Sequence, residues 1–217
     1  MSHTCPFCLE IMVPQNNPFN NQINHTISSR IIDETENWVC VPTVGAFVLG
    51  YVLIISKIHY NCFSVIPPDM YDCLEQFVHK QKNIIKQIFS FDCVVFEHGT
   101  ISDKYQGANS IDHAHIHVVP CKGSIWSKIQ QKYKLHTVLY FETYSEMLIY
   151  ANRQSLNSYL TFCDTDGRCY LIDDASNFPS QFFRMVLAAE SGVEQKWNWK
   201  EHMFLQNGIK TYYLFKK

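Results

Sequence analysis

The chain has 217 residues, of which 47% are hydrophobic and only 18% charged, a balance that supports a buried core and excludes disorder throughout. Its formal net charge of −2 argues against a general nucleic-acid coat or an anionic-membrane binder, both of which need a basic surface. The first residues lack a basic start followed by an apolar run, and no stretch of about 18 apolar residues is uninterrupted. Nine cysteines, an odd number, then point to a reducing cytoplasm in which cysteines are thiols or metal ligands.

In chain order, Cys5-Pro6-Phe7-Cys8 is followed by a polar, turn-prone loop over 14–24. Short strands are expected over 27–33 and 38–42, and the run GAFVLGYVLIIS over 45–56 reads as a strand pair or one long strand. Pro67-Pro68-Asp69 opens a helix over 68–89, the clearest element, with apolar residues at Met70, Cys73, Leu74, Phe77, Val78, Ile84, Ile85 and Ile88. Strands over 93–97 and 112–120 come next, joined by a loop. After Cys121 the pattern predicts helices over 125–133, 145–151 and 179–192, and strands over 138–142, 159–162 and 169–172. Asp164-Thr165-Asp166-Gly167 is a hairpin turn.

The decisive feature is His113-Ala114-His115-Ile116-His117-Val118-Val119-Pro120. Side chains alternate across a strand, so the three histidines share one face and Ala114, Ile116 and Val118 the other. Three imidazoles on one face make poor packing material. They make sense where each has its own partner, such as a metal or a phosphate. Cys5-x-x-Cys8 is a common zinc half-site, because a short turn brings both thiolates to one ion. A redox pair is the rival, but no thioredoxin-like βαβ pattern surrounds it. The other seven cysteines are expected as buried thiols, although Cys163 and Cys169 flank the hairpin turn and can pair.

The His-x-His-x-His run followed by apolar residues and proline resembles the signature of the histidine-triad (HIT) superfamily of nucleotide hydrolases and transferases. Gly50–His59 (GYVLIISKIH) is similar to that family's glycine, apolar run, Pro-Lys-x-His segment, with Ser56 in place of proline. Cys5 and Cys8 match the cysteine pair of many bacterial members, and Ser110 the family's serine or threonine. Many members have Gly-Gln before that serine, where Ala108 and Asn109 stand here. The likeness covers about residues 3–121.

The resemblance implies that His115 is the nucleophile on the α-phosphorus of a nucleotide, with a backbone carbonyl fixing its tautomer. It implies that His117 and Ser110 donate to phosphate or leaving-group oxygens, and that Asn109 binds the phosphate. It also supplies the second half of a metal site: Cys5, Cys8, His59 and His113 would hold one structural Zn²⁺. His98, at the end of the preceding strand, can reach ribose or phosphate. Beyond residue 121 the segments Pro179–Arg184 and Trp197–Lys200 are loosely similar to the C-terminal portion of CwfJ-type proteins. Arg184, one of few arginines, and Lys200 are expected beside the nucleotide with a tryptophan near its edge. The competing reading pairs Arg184 with a carboxylate such as Glu190 or Asp174 and places the tryptophans in the core.

The expected fold is α+β: a HIT-like antiparallel sheet of about five strands backed by the long helix in residues 1–121, with an α/β extension, 122–217, packed on it. The implied function is hydrolysis or transfer of a nucleotidyl group, with a dinucleoside polyphosphate or a purine mononucleotide ester as substrate. RNA- or DNA-end processing and a non-catalytic nucleotide- or RNA-binding module are the alternatives. No membrane partner is implied. Minimal members of the family usually pair through their sheets, which implies a homodimer unless the extension occupies that surface.

Overall fold

The computed structural model describes residues 5–22, 26–101, 111–135 and 137–217. Its centre is one antiparallel sheet of eight strands: β1 (Asp33–Glu34), β2 (Trp38–Pro42), β3 (Val52–Ser56), β4 (Asp92–Thr100), β5 (His115–Cys121), β6 (Leu139–Phe141), β7 (Ser158–Cys163) and β8 (Cys169–Ile172). Their order across the sheet is β1-β2-β3-β5-β4-β7-β8-β6. The helices are α1 (Pro6–Met12), α2 (Tyr71–Phe89), α3 (Trp126–Tyr133), α4 (Tyr144–Arg153), α5 (Phe182–Glu190) and α6 (Leu205–Phe215). Among the described residues no helix is long and apolar enough to cross a membrane.

The expectation of about five strands is corrected to eight, and the reason is the edge of β4. β7 pairs with β4 from Val95↔Cys163 to Thr100↔Ser158, so the residues after 121 continue the sheet. Alternation along β4 and β5 splits the core. Ile54, Val95, Ile116 and Val118 face the apolar stripe of α2, contributed by Leu74, Phe77, Val78 and Ile85. Leu53, Ile55, Phe96 and Val119 face the other way, against Phe7, Trp126, Phe183 and Leu187. Pro120 is tolerated inside β5 because β3 ends at Val52, opposite Val118, leaving that side of residue 120 unpaired.

Several boundaries differ from the sequence reading. The residues over 27–32 are not strand, and only Val52–Ser56 of the run 45–56 pairs. The carboxy-terminal part of that run is a continuous apolar segment because both faces are covered. Helices α1 and α6 carried no expectation: the first is seven residues long, and the second is a polar-and-aromatic stretch whose Ile209 packs on Phe19 and Ile27. Cys163 and Cys169 face each other across the β7–β8 hairpin and are disulfide-bonded. Cys40, Cys62 and Cys93 are buried thiols as expected, but Cys73 is exposed and Cys121 half-buried.

Asp164, at the start of that hairpin turn, is fully buried and accepts from Ser124 Oγ at 2.6 Å, Ile125 N at 3.0 Å and Trp126 N at 2.8 Å. It therefore caps α3 and ties it to the sheet. Asp164→Ala strands the two buried backbone donors of Ile125 and Trp126 and is expected to lower stability by on the order of 2–4 kcal/mol, read as a fall in the urea midpoint at unchanged slope.

Glu97 sits on the α2 side of β4, accepting from Phe63 N and Tyr159 Oη, both at 2.8 Å. Burial raises its pKa from 4.5 to about 7, against the pull of those two donors. An acid whose folded pKa is raised binds its proton more tightly folded than unfolded. Stability is thus highest below pH 4.5 for this group and is lost as pH climbs from 4.5 to about 7, by on the order of 3 kcal/mol in total. Unfolding free energies measured from pH 4.5 to 8 should show this slope in the wild type, and Glu97→Gln should flatten it.

Candidate active site and metal centre

On the face opposite α2, strands β3, β4 and β5 floor a cavity of about 560 Å³, in the size range of small-molecule sites. His115 and His117 project into it from β5, and His98 from β4. Its walls are Phe7 and Glu10 of α1, Arg30, and Arg184, Trp199 and Lys200 from the last third of the chain. The strand alternation read from sequence holds for His115 and His117. His113 precedes the strand, and its ring turns toward the amino terminus instead.

His115 is almost buried, and its Nδ1 lies 2.6 Å from the carbonyl oxygen of His113. A carbonyl only accepts, so Nδ1 carries the proton and the Nε2 lone pair is free. Burial lowers its pKa, and the nearby Arg184 charge pushes the same way while the His113 carbonyl opposes both. The imidazole is therefore neutral at neutral pH. The ring is held by an edge contact with Phe7 at 5.4 Å. His117 stacks on Phe96, with centroids 4.4 Å apart and planes within 6°. Its pKa falls well below the usual histidine value, chiefly through burial and then through His115, Arg184 and His98.

Arg184 is buried and donates to neutral acceptors: Gly45 O at 2.8 Å, Trp197 O at 3.1 and 3.2 Å, and Tyr51 Oη at 3.0 Å. No carboxylate is among these partners, so the expected alternative of a Glu190 or Asp174 pair does not describe this side chain; Glu190 bonds Lys128. Gly45 makes the approach possible: a Cβ there would lie 2.6 Å from Arg184 Nη2 and 2.5 Å from Trp199 Cβ, and its φ is +76°. Trp199 lines the cavity half-buried, and Lys200 is exposed at its rim. Arg30 is also in the wall but is neutralised by Glu10, within 2.5 Å. Asn109 and Ser110 lie outside the described residues.

Behind His115, four ligand atoms of Cys5, Cys8, His59 and His113 fall within 4.8 Å of one another. His113 Nδ1 is 3.2 Å from His59 Nδ1 and 3.3 Å from Cys5 Sγ, and Cys8 Sγ is 3.3 Å from His59 Nδ1. Zinc bond lengths of about 2.05 Å to nitrogen and 2.3 Å to sulfur give tetrahedral edges of about 3.3–3.8 Å, so these nitrogen and sulfur separations fit that ion. Where both Nδ1 atoms are unprotonated, lone pairs at such distances repel unless a cation lies between them. His113 Nε2 sits 2.7 Å from Ser56 O, which puts its proton there and leaves the Nδ1 lone pair facing the cluster. The backbone carbonyl of Ser56 thus orients the His113 ring.

Sequence reasoning missed Tyr51, Phe96 and Glu10 as parts of the site. Tyr51 read as one more apolar strand residue, yet it lies just before β3 and its hydroxyl is 2.6 Å from His117 Nδ1.

No protein-family model and no curated protein matches the chain. Solved structures do. The chain is similar to histidine-triad proteins. A zinc-bound histidine-triad family protein from Mycobacterium smegmatis is 20% identical over 56% of this chain and 78% of its own, with a TM-score of 0.42. A HIT family protein from Bacillus anthracis is 18% identical over 71% of this chain and 93% of its own, also at 0.42. A HIT-like protein from Bartonella henselae is 16% identical over 55% and 80%, again at 0.42.

Proposed function

We propose that the chain is a nucleotide hydrolase or nucleotidyltransferase of the histidine-triad type, acting at the α-phosphorus through a covalent nucleotidyl-His115. One observation carries this reading: His115 offers an unprotonated Nε2 at the floor of a cavity that also holds a buried guanidinium. In the first step the Nε2 lone pair forms an N–P bond as the P–O bond to the leaving group breaks. The leaving oxygen keeps that electron pair and takes a proton. Water then attacks phosphorus, the N–P bond breaks, its electron pair returns to Nε2, and a nucleoside monophosphate leaves. A different acceptor in place of water gives transfer.

The walls suit such a substrate. Phe7, Leu53 and Trp199 offer apolar surface to a base, and Arg184, His117 and His98 surround the place of the phosphate. Lys200 at the rim suits a further phosphate on the leaving group. Asn109 and Ser110 complete the phosphate contacts in this reading. Cys5, Cys8, His59 and His113 would hold zinc, whose chemistry there is to cross-link α1 to the segment before β5, since four protein ligands leave no open position.

The test is a panel of adenylated and guanylated phosphoanhydrides, phosphoramidates and nucleic-acid ends, each incubated with wild type and His115→Ala. Release of a nucleoside monophosphate by the wild type alone supports the reading. Activity confined to 5′-adenylated nucleic acid would favour the end-processing alternative. Tight nucleotide binding with no turnover on any substrate would favour the binding module.

A further inference from the structure

A neutral histidine can donate to a phosphate only if its proton is on the nitrogen that faces the phosphate. For His117 that choice is made by a chain of side chains behind it. Arg184 has donors only. Its Nη1 donates to Tyr51 Oη at 3.0 Å, and its other bonds to the carbonyls of Gly45 and Trp197 clamp the guanidinium plane. The guanidinium also lies 5.3 Å from the Tyr51 ring and 5.4 Å from that of Phe47. With one lone pair of Tyr51 Oη taken by Arg184, the phenol proton needs an acceptor, and His117 Nδ1 is 2.6 Å away. The opposite tautomer would place N–H against O–H and leave a fully buried phenol proton without a partner, at the cost that such burial carries. The stack on Phe96 keeps the ring from turning out of line.

We propose that Arg184, acting through Tyr51, is a positioning residue that holds His117 in its Nε2–H form, so that this N–H faces the cavity. This rests on reading the cavity as a nucleotide site. Burial raises the Tyr51 pKa more than the arginine lowers it, so the phenol stays protonated and can serve as the donor. The consequence is that α5, from the last third of the chain, sets the protonation geometry of a residue on β5. It also gives the extra residues a role distinct from covering the sheet: they complete the site chemically.

The measurement is the tautomeric state of His117 by long-range proton–nitrogen correlation on histidine-labelled protein without substrate. The wild type should show the proton on Nε2. Tyr51→Phe keeps the ring and removes only the hydroxyl, so the fold should survive and the tautomers should mix. Arg184→Gln should do the same, and Arg184→Lys should restore part of the wild-type state. With any substrate the wild type turns over, Tyr51→Phe should lower kcat about 10- to 100-fold with KM changed less than about threefold. A wild-type proton on Nδ1, an unchanged tautomer in Tyr51→Phe, or a loss confined to KM would each overturn the proposal. The spectrum needs no turnover, so a chain inactive on every nucleotide would defeat the functional reading and leave the tautomer result standing.

Discussion

His115→Ala should lower turnover by several orders of magnitude while the protein keeps its fold. The side chain is removed from the cavity floor, where it makes one hydrogen bond to its own neighbour's carbonyl and an edge contact with Phe7. No charge is left buried, because the imidazole is neutral. What disappears is the only group in this reading that forms a bond to phosphorus. His117→Ala should cost less, about 10²- to 10³-fold, since it removes one donor of several that meet the developing charge. A steady-state comparison of the two, with thermal melts run alongside, separates them. Equal losses would mean that the two histidines act as one unit.

Removing the metal, or one of its ligands, should have the largest effect on the fold. Cys5 is the residue immediately before α1, a seven-residue helix with no side-chain cap of its own. That helix is too short to persist unaided and holds Phe7 and Glu10 in the cavity wall. With zinc bound at Cys5, Cys8, His59 and His113, the amino terminus is fixed to the segment carrying His113. Without it, no ion bridges His59 Nδ1 and His113 Nδ1 at 3.2 Å, and His113 is two residues from the nucleophile. Cys5→Ser should therefore lose metal, melt at least 10 °C lower and lose activity together. Elemental analysis of chelator-washed wild type should give one zinc per chain. Less than about a tenth of an equivalent would exclude the site.

Much of this was legible in the residues, for physical reasons that differ from element to element. The 3.6-residue period of α2 survives because that helix packs one face only, and His115 and His117 alternate with Ile116 and Val118 because one face of β5 lines the cavity while the other meets α2. The Cys5, Cys8, His59 and His113 cluster was legible through spacing for the cysteines and through resemblance for the histidines. The eight-strand sheet was not legible. That β7 pairs with β4 depends on an open edge, and an edge leaves no mark on the residues beside it. Tyr51 was hidden because a tyrosine in an apolar run looks like core until its hydroxyl partner is known. Arg184 was visible as a lone cation among phenylalanines, but whether it met a carboxylate or neutral oxygens turned on Gly45, whose missing Cβ makes the space.

Stereochemistry at phosphorus tests the central claim most directly. A covalent nucleotidyl-His115 requires two in-line displacements, each inverting the centre, so a substrate chiral at the α-phosphorus should give product with net retention. Quenched turnover should also yield an acid-labile nucleotide adduct on the peptide spanning His113–His117, missing in His115→Ala. Net inversion, with no adduct, would mean that water attacks the substrate directly and would contradict the role assigned to His115.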